Sequence, residues 1–249
     1  MTTGTKLFIE EHIQLIEENN FKEIYSDKYD FDKGELTQML LSVGVDPLKY
    51  LDHVPDNYLC QSDIVTFTVP DGLYRIGAAA FWDCQNLTTV KLPDSIEFID
   101  DSAFSECHKL EHINFPQNLE RLQEDAFAET ALKHVVIPDF VKVLPRHCFE
   151  ECKQLETIKL GQSVIHIGEG CFGNCEQLRY VQLPEGIKRL GDYAFKNCQS
   201  LEDLYIPDSV ERIGPNTFFK IETKITILCK ENSVAHKYAE DNYIGYQLI

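Results

Sequence analysis

Cysteine is the most reactive residue type in this sequence, and five of its nine cysteines stand three residues after a phenylalanine. These five are Cys84, Cys107, Cys152, Cys175 and Cys198. Thiols at a constant spacing could form disulfides or bind zinc, but zinc needs four ligands that converge as a tetrahedron, whereas a regular spacing places thiols in a line. Because free cysteine is among the most buried residue types, we expect reduced thiols that fill a tight turn, and no metal site.

Two histidines are the second candidate for chemistry. His112 and His134 occupy the same place in consecutive repeats, so they should stack on neighbouring rungs of a sheet, where two imidazoles could share a metal ion. No carboxylate shares these rungs, and we therefore expect solvated histidines and no cofactor. The sequence also has no Gly-rich phosphate loop, nucleophile elbow or paired His-Glu motif. It predicts a protein that is not an enzyme.

A repeat positions these side chains. Its aromatic anchor recurs with a step of 23 residues, broken once by a step of 22, at Tyr58, Phe81, Phe104, Phe127, Phe149, Phe172, Phe195 and Phe218. A fixed period of this length is the signature of a solenoid, in which each unit packs only on its neighbours. Within a unit, Leu87, Val90 and Leu92 have the spacing of a short strand with alternating residues inside. Pro93 ends that strand, since proline cannot donate to a ladder.

The full unit, x-L-P-x-x-[IV]-x-x-I-x-x-x-A-F-x-x-C-x-x-L, resembles the BspA-like leucine-rich repeat family from about Tyr58 to the C-terminus. We predict an α/β solenoid: a right-handed leucine-rich-repeat superhelix with a parallel β-sheet on its concave face. The resemblance also implies a role to consider, because the family includes surface adhesins. An adhesin-like surface binding protein is therefore one of the functions considered.

Three segments are expected. Residues 1–56 form a helical N-terminal cap, residues 57–229 an array of eight repeats, and residues 230–249 a C-terminal cap of a helix and a last strand. The apolar spacing in the first segment predicts an amphipathic helix from Leu7 to Ile16, ending near Asn20, a second helix from Glu35 to Val43 that Gly44 ends, and a short turn with Asp46 as N-cap and Pro47 after it. The acids and tyrosines over residues 25–35 leave open a separate binding module there.

The formal net charge of −18 argues against direct binding of nucleic acid and against docking on an anionic membrane. A protein partner that is basic, neutral or itself nucleic-acid-binding agrees better with it. The longest apolar runs are too short to cross a bilayer. Acids interrupt the apolar patch at the N-terminus before it reaches the length of a signal-peptide core, so we expect a cytoplasmic protein of bacterial or phage origin.

The outward positions of the predicted strands are the first candidate binding surface, because stacked-repeat proteins usually bind partners on their concave face. Tyrosine gives large contact area and is enriched in interface hot spots, so Tyr180, Asp203 and Tyr205 are the favoured contacts. The function expected is a non-catalytic protein-binding module. The complete set of outward residues is Lys91, His112, Asn114, His134, Lys159, Tyr180, Gln182, Asp203 and Tyr205.

Two columns of acids offer an alternative surface on the convex side. One column stands three residues before the phenylalanine and consists of Asp101, Glu124, Glu169 and Asp192. The other stands two residues after it and consists of Asp83, Glu106, Glu129 and Glu151. Such ridges could imitate a nucleic acid and inhibit a nucleic-acid-binding protein, for example in phage counter-defence. Both columns could equally be solvated charge that keeps solenoids apart.

Overall fold

The computed structural model describes residues 20–25, 33–42 and 44–249. The helix expected from Leu7 to Ile16, the connection over residues 26–32 and Val43 lie outside the described residues. Within them, the N-terminal segment contains α1 (Phe21–Ile24), α2 (Lys33–Ser42) and a 3-10 helix (Pro47–Lys49). The sequence did not indicate α1, which is a single turn.

The ends of these helices follow local chemistry. α2 begins at Lys33 rather than at Glu35, and Gly44 ends it as predicted, with φ +82°. The Gly44 and Val45 N–H groups donate to carbonyls of the last turn at 3.0 and 2.9 Å, which satisfies groups that a helix end leaves unpaired. The predicted cap at Asp46 is confirmed, because its side chain accepts the Leu48 N–H at 3.0 Å.

The repeats form two parallel ladders on different sides of the solenoid. Each repeat is one coil, with a strand in the first ladder, a strand in the second ladder and then a turn that carries the aromatic anchor. The first ladder consists of β1 (Thr66–Thr68), β3 (Thr89–Lys91), β5 (His112–Ile113), β7 (His134–Val136), β9 (Thr157–Lys159), β11 (Tyr180–Gln182), β13 (Asp203–Tyr205) and β15 (Thr226–Cys229). The second ladder consists of β2 (Arg75–Ile76), β4 (Phe98–Ile99), β6 (Arg121–Leu122), β8 (Val143–Leu144), β10 (His166–Ile167), β12 (Arg189–Leu190) and β14 (Arg212–Ile213).

The aromatic anchors form the predicted internal column. From Phe81 to Phe218 the rings stack face to face with centroids 5.1 to 5.8 Å apart and planes 3 to 17° from parallel. Tyr58 meets Phe81 edge-on at 6.4 Å. All of these side chains are buried, together with most of the inward-facing aliphatic residues of both ladders. The column therefore confirms that successive coils share one interior.

Both ladders are interrupted at the same coil boundary. No strand pairing joins β5 to β7 or β6 to β8, whereas pairing continues on either side of the boundary. The first ladder opens where the single short repeat lies, since Leu132 follows Thr130 with one residue fewer than Leu110 follows Cys107. The second ladder opens beside Pro145, which has no N–H to donate.

The turn side stays joined across that boundary. Phe127 donates its N–H to Cys148 O at 2.9 Å, and Glu129 donates to Glu150 O at 2.8 Å. A further interruption separates β11 from β13 in the first ladder alone. The solenoid is thus continuous through its turns and its aromatic column, with gaps in the strand faces.

The C-terminal end contains the helix and last strand that the sequence predicted. Ser233 accepts the His236 N–H at 3.1 Å and caps α3 (Val234–Asp241). β16 (Gly245–Leu248) then pairs in parallel with β15. The boundaries placed at residues 56 and 229 stay predictions. Of the helices in the described ranges, none has the length and apolar character that crossing a bilayer requires.

Candidate functional site

The predicted binding residues lie on the outer face of the first ladder. Along each strand the middle residue points inward and its neighbours point outward, as with buried Val135 between exposed His134 and Val136. Eight of the predicted residues are exposed and Tyr205 is half-buried. The alternation that the sequence indicated is confirmed, whereas the role of these residues in binding stays a prediction.

The tyrosines of this face lie on either side of the gap between β11 and β13. Tyr180 is 54% exposed and stands beside Thr157 of the preceding strand. Tyr205 follows the gap and stands beside Leu228, with its hydroxyl 3.4 Å from the Glu185 carboxylate. Because no backbone pairing closes the gap within the described strands, the tyrosines flank a stretch of open ladder.

A polar groove adjoins these tyrosines at the entrance to the strands. Two adjoining depressions of about 510 and 660 Å³ share Gln199, Glu202 and Asp203 in their walls. Arg179, paired with Glu156, lines the first depression. Of these residues the sequence indicated only Asp203, since the others precede the strands and carry no repeated motif.

Two predicted residues have structural partners instead. Asn114 uses its amide to bond the backbone of Leu92, accepting the N–H and donating to the carbonyl, both at 2.8 Å. His112 and His134 are not paired on adjoining rungs, because the ladder is open between β5 and β7. His134 Nδ1 lies 3.0 Å from Thr157 Oγ1. In the described part of the chain, no group of three or more His, Cys, Asp or Glu could hold a metal ion.

The thiols occupy the interior, as expected. Each of the five donates to the carbonyl of a residue on the preceding coil, for example Cys107 Sγ to Phe81 O at 3.0 Å and Cys175 Sγ to Phe149 O at 3.1 Å. Burial raises the pKa of the Cys152 thiol to about 11. Burial also raises the pKa of Cys175 and Cys198, so these hydrogen-bonded thiols stay protonated at neutral pH and support the turn. Cys84 differs, because its hydrogen bond with Cys107 lowers its pKa to about 7.

The acids lie along the turn side. The column after the phenylalanine has an unusual backbone, because Asp83, Glu106, Glu129 and Glu151 all have φ between 55 and 60°. In the column before it, Asp101 and Asp192 accept backbone N–H groups of the next coil, at 3.1 and 2.8 Å, and Glu169 pairs with Arg146 at 3.7 Å. Only some of these carboxylates are therefore free to meet a partner.

A small groove lies between the two acidic columns. It has a volume of about 270 Å³ and is lined by Trp82, Glu106 and Glu129 together with Asp125 and Glu150, which the sequence did not indicate. Burial raises the pKa of both Asp125 and Glu150, although His147 Nδ1 lies 3.7 and 3.4 Å from their carboxylates. Five carboxylates therefore line this groove: Glu106, Asp125, Glu129, Glu150 and Glu151.

Comparisons with known proteins agree with this architecture. The model of the BspA type leucine rich repeat region matches residues 52–156 and 142–239 in six copies. Among solved structures, a leucine-rich repeat protein from Bacteroides ovatus is 24% identical with a TM-score of 0.54, over 78% of this chain and 54% of that one. One from Eubacterium ventriosum is 24% identical with a TM-score of 0.58, over 68% and 45%.

The leucine-rich repeat protein of T. pallidum, TpLRR, is 26% identical with a TM-score of 0.56, over 75% of this chain and 86% of that one. The chain spans about half the length of the Bacteroides and Eubacterium proteins. At these identities the solved structures establish the fold alone. No curated protein matches the chain.

Proposed function

The chain belongs to the BspA-type leucine-rich repeat family, and from this premise we propose that it is a non-catalytic module that binds a protein partner on the outer face of its first ladder. Leucine-rich repeat proteins commonly bind other proteins, and their stacked strands present a wide surface for this. The partner we propose is neutral or basic. The acids Glu202 and Asp203 beside the tyrosines favour such a partner.

One observation carries the proposal: Tyr180 and Tyr205 flank the open gap between β11 and β13, next to the polar groove. Tyrosine buries much apolar area at low entropic cost, and its hydroxyl can still bond a partner. Strands that are not paired leave backbone groups that a partner can satisfy. Aromatic anchors, open backbone and a polar rim together match the usual composition of a protein interface.

We also propose a cytoplasmic location. Eight of the nine cysteines are buried and form no disulfide. Paired cysteines are the rule in oxidising compartments and rare in the cytosol. The thiol column supports a reducing environment.

The test is capture of a partner from host lysate followed by a measured affinity for the purified partner. Tyr180→Ala with Tyr205→Ala should weaken binding about 30-fold or more, since interface hot spots lose about 2 kcal/mol on truncation. The matched control is Tyr74→Ala with Tyr243→Ala, because these tyrosines are 39% and 95% exposed and lie outside the first ladder's outer face. A partner that binds the Tyr180 and Tyr205 variant as tightly as the wild type would overturn the proposal.

A second candidate function is an inhibitor that acts through its carboxylates. It is favoured by the backbone of the acidic column that stands two residues after the phenylalanine. Glycine, Asn and Asp adopt a positive φ most readily, and Asn174 and Asn197 occupy this position in the next two coils. Glutamate at Glu106, Glu129 and Glu151 accepts a backbone strain that asparagine would relieve. A charge retained at a strained position supports a role for that charge.

Replacing these three glutamates by asparagine separates the candidates. The triple variant should fold at least as well as the wild type, because asparagine suits the backbone. If the acids imitate a nucleic acid, the variant should lose its target, and duplex DNA should displace the wild-type protein from that target. Full binding by the triple variant would rule this candidate out.

A further inference from the structure

The outer row of the second ladder is basic, although the chain carries a net charge of −18. This row consists of the first residue of each strand, one per coil. Four of its seven members are arginines and a fifth is histidine: Arg75, Phe98, Arg121, Val143, His166, Arg189 and Arg212. The sequence-wide charge conceals the row, because its successive members are 22 or 23 residues apart along the chain but lie on successive coils.

Three members of the row face each other directly. His166 pairs with Arg189, and Arg189 pairs with Arg212, so two guanidinium groups and an imidazole stand on consecutive rungs about 4.8 Å apart. Like charges opposite each other destabilise a sheet. Their presence here requires a compensating interaction, either within the chain or with a ligand.

The described part of the chain supplies no ion pair for these arginines. Among the described residues, no carboxylate lies within ion-pair distance of Arg121, Arg189 or Arg212. The other described arginines are paired: Arg75 with Asp100, Arg146 with Glu169 at 3.7 Å, and Arg179 with Glu156. The unpaired arginines are thus confined to this face.

Arg189 acts electrostatically on its neighbour in the row. The pKa of His166 is lowered, first because the ring is half-buried and second because Arg189 lies on the next rung. Screening limits the reach of a surface charge to about 8 Å at physiological ionic strength, which is less than two rungs, so the nearest charges dominate.

An apolar cavity lies within the same row. It opens at the break between β6 and β8 and has a volume of about 470 Å³. Its lining includes the apolar Phe140 and Val143, the cations Arg121 and Lys142, and one acid, Glu120. Phe140 is 60% exposed and Val143 is 43% exposed. The cavity therefore offers an apolar contact with cations beside it.

We infer that this face, from the cavity at Phe140 to Arg212, binds an extended acidic segment of a partner protein. An apolar side chain of the segment enters the cavity, and its carboxylate or phosphate groups lie along His166, Arg189 and Arg212. Val143 and Arg212 are three rungs apart, about 14 Å, which an extended peptide spans in about four residues. Guanidinium groups suit such anions because they can donate two hydrogen bonds at once. This face is distinct from the one in the proposed function.

The test uses fluorescein-labelled peptides and fluorescence anisotropy at about 50 mM salt, where charge pairing is strong. The probe is leucine followed by five glutamates, with a matched peptide of leucine and five lysines. Arg189→Gln with Arg212→Gln should weaken binding of the glutamate peptide about tenfold, as expected for the loss of two exposed charge contacts. Arg146→Gln with Lys153→Gln removes the same charge from cations paired with Glu169 and Glu151, and should leave binding unchanged.

Further variants and peptides test where the ligand binds and whether its anionic groups are carboxylates or phosphates. Phe140→Ser should weaken the leucine-bearing peptide more than a peptide of six glutamates. Tighter binding of a peptide with phosphoserine in place of two glutamates would support a phosphorylated segment within the same chemistry. Tyr180→Ala with Tyr205→Ala should bind the glutamate peptide like the wild type, so this inference and the proposed function fail separately.

Three results would overturn the inference. The wild type could fail to bind the glutamate peptide at low salt, or the two charge-removal variants could bind it equally. A ten-nucleotide oligo(dT) that binds more tightly than the peptide would indicate a nucleic-acid surface instead. Each of these measurements can be made and interpreted without knowing the natural partner.

Discussion

Phe149→Ala tests whether the aromatic column holds the two halves of the solenoid together. Phe149 is fully buried and stacks on Phe127 at 5.5 Å and on Phe172 at 5.8 Å. Truncating a buried phenylalanine costs about 3 to 5 kcal/mol. The pair of Phe127 and Phe149 spans the boundary where both ladders are open, so few strand hydrogen bonds remain there to compensate.

We therefore expect Phe149→Ala to lower stability by about 4 kcal/mol and to separate unfolding into two transitions. Phe172→Ala is the matched control, because it removes an equally buried ring from a coil whose strands are paired on both sides in both ladders. It should lower stability by a similar amount while unfolding stays cooperative.

Urea denaturation followed by far-UV circular dichroism, with calorimetry as a second probe, measures both quantities. Hydrogen exchange should show the amides of the two halves opening with different free energies in Phe149→Ala and together in Phe172→Ala. A loss below about 1 kcal/mol in Phe149→Ala would refute the packing argument. Two transitions in the control but one in Phe149→Ala would refute the assignment of the weak boundary.

Three further substitutions probe the turn side. Glu129→Asn should raise the thermal midpoint slightly, by about 0.5 kcal/mol of stability, because φ is 59° there and Asn174 already holds this position in another coil; a lower midpoint would contradict this. Gly191→Ala should destabilise the fold by about 2 kcal/mol or more, since its Cβ would lie 2.5 Å from the Gly168 carbonyl carbon; chemical denaturation measures it, and an unchanged midpoint would contradict it. Burial raises the pKa of Glu150, so the folded state binds the proton of this carboxyl more tightly than the unfolded state does. Stability should therefore fall as pH rises from the ordinary glutamate range through that raised pKa. Glu150→Gln should flatten this part of a plot of thermal midpoint against pH.

The repeat period is enough to predict the interior. A residue that recurs with the coil must face its equivalents above and below, which is why the spacing alone places Phe104 and Phe127 in one column. The cap at Asp46 and the stop at Gly44 are equally predictable, since each depends on a residue type that satisfies backbone groups at a helix end. Such features depend on local sequence or on the period alone.

The interruptions in strand pairing between successive coils could not be predicted in the same way. The short repeat before Leu132 is visible as a step of 22 residues, but its effect on strand pairing depends on how the backbone accommodates the missing residue. His112 and His134 lie on consecutive coils, but no strand pairing joins β5 to β7. Asn114 was assigned to a binding face because its column points outward, whereas its amide replaces a backbone hydrogen bond at the end of β5.

The basic row is hidden when charge is summed over the whole chain. Each arginine precedes the buried aliphatic residue of its second-ladder strand, as Arg189 precedes Leu190, so aligning the repeats by column reveals the row in the amino-acid sequence itself. In a solenoid the residue types at one repeat position can differ from those at another. The net charge sums all positions, whereas a partner contacts only those on one face.

The two proposed surfaces lie on different ladders, and the affinity of each for its partner should depend differently on salt. Binding of an acidic segment along Arg189 and Arg212 depends on charge pairing at an exposed face, so its affinity should fall steeply as ionic strength rises. Binding through Tyr180 and Tyr205 depends mainly on buried apolar area, which salt does not weaken, so its affinity should fall less steeply even for a basic partner that lies beside Glu202 and Asp203. One titration with salt, performed on each charge and tyrosine variant, therefore assigns a given partner to one face or the other. A partner whose affinity falls with salt in the wild type but not in Arg189→Gln with Arg212→Gln must use the second ladder, whatever the net charge of the protein.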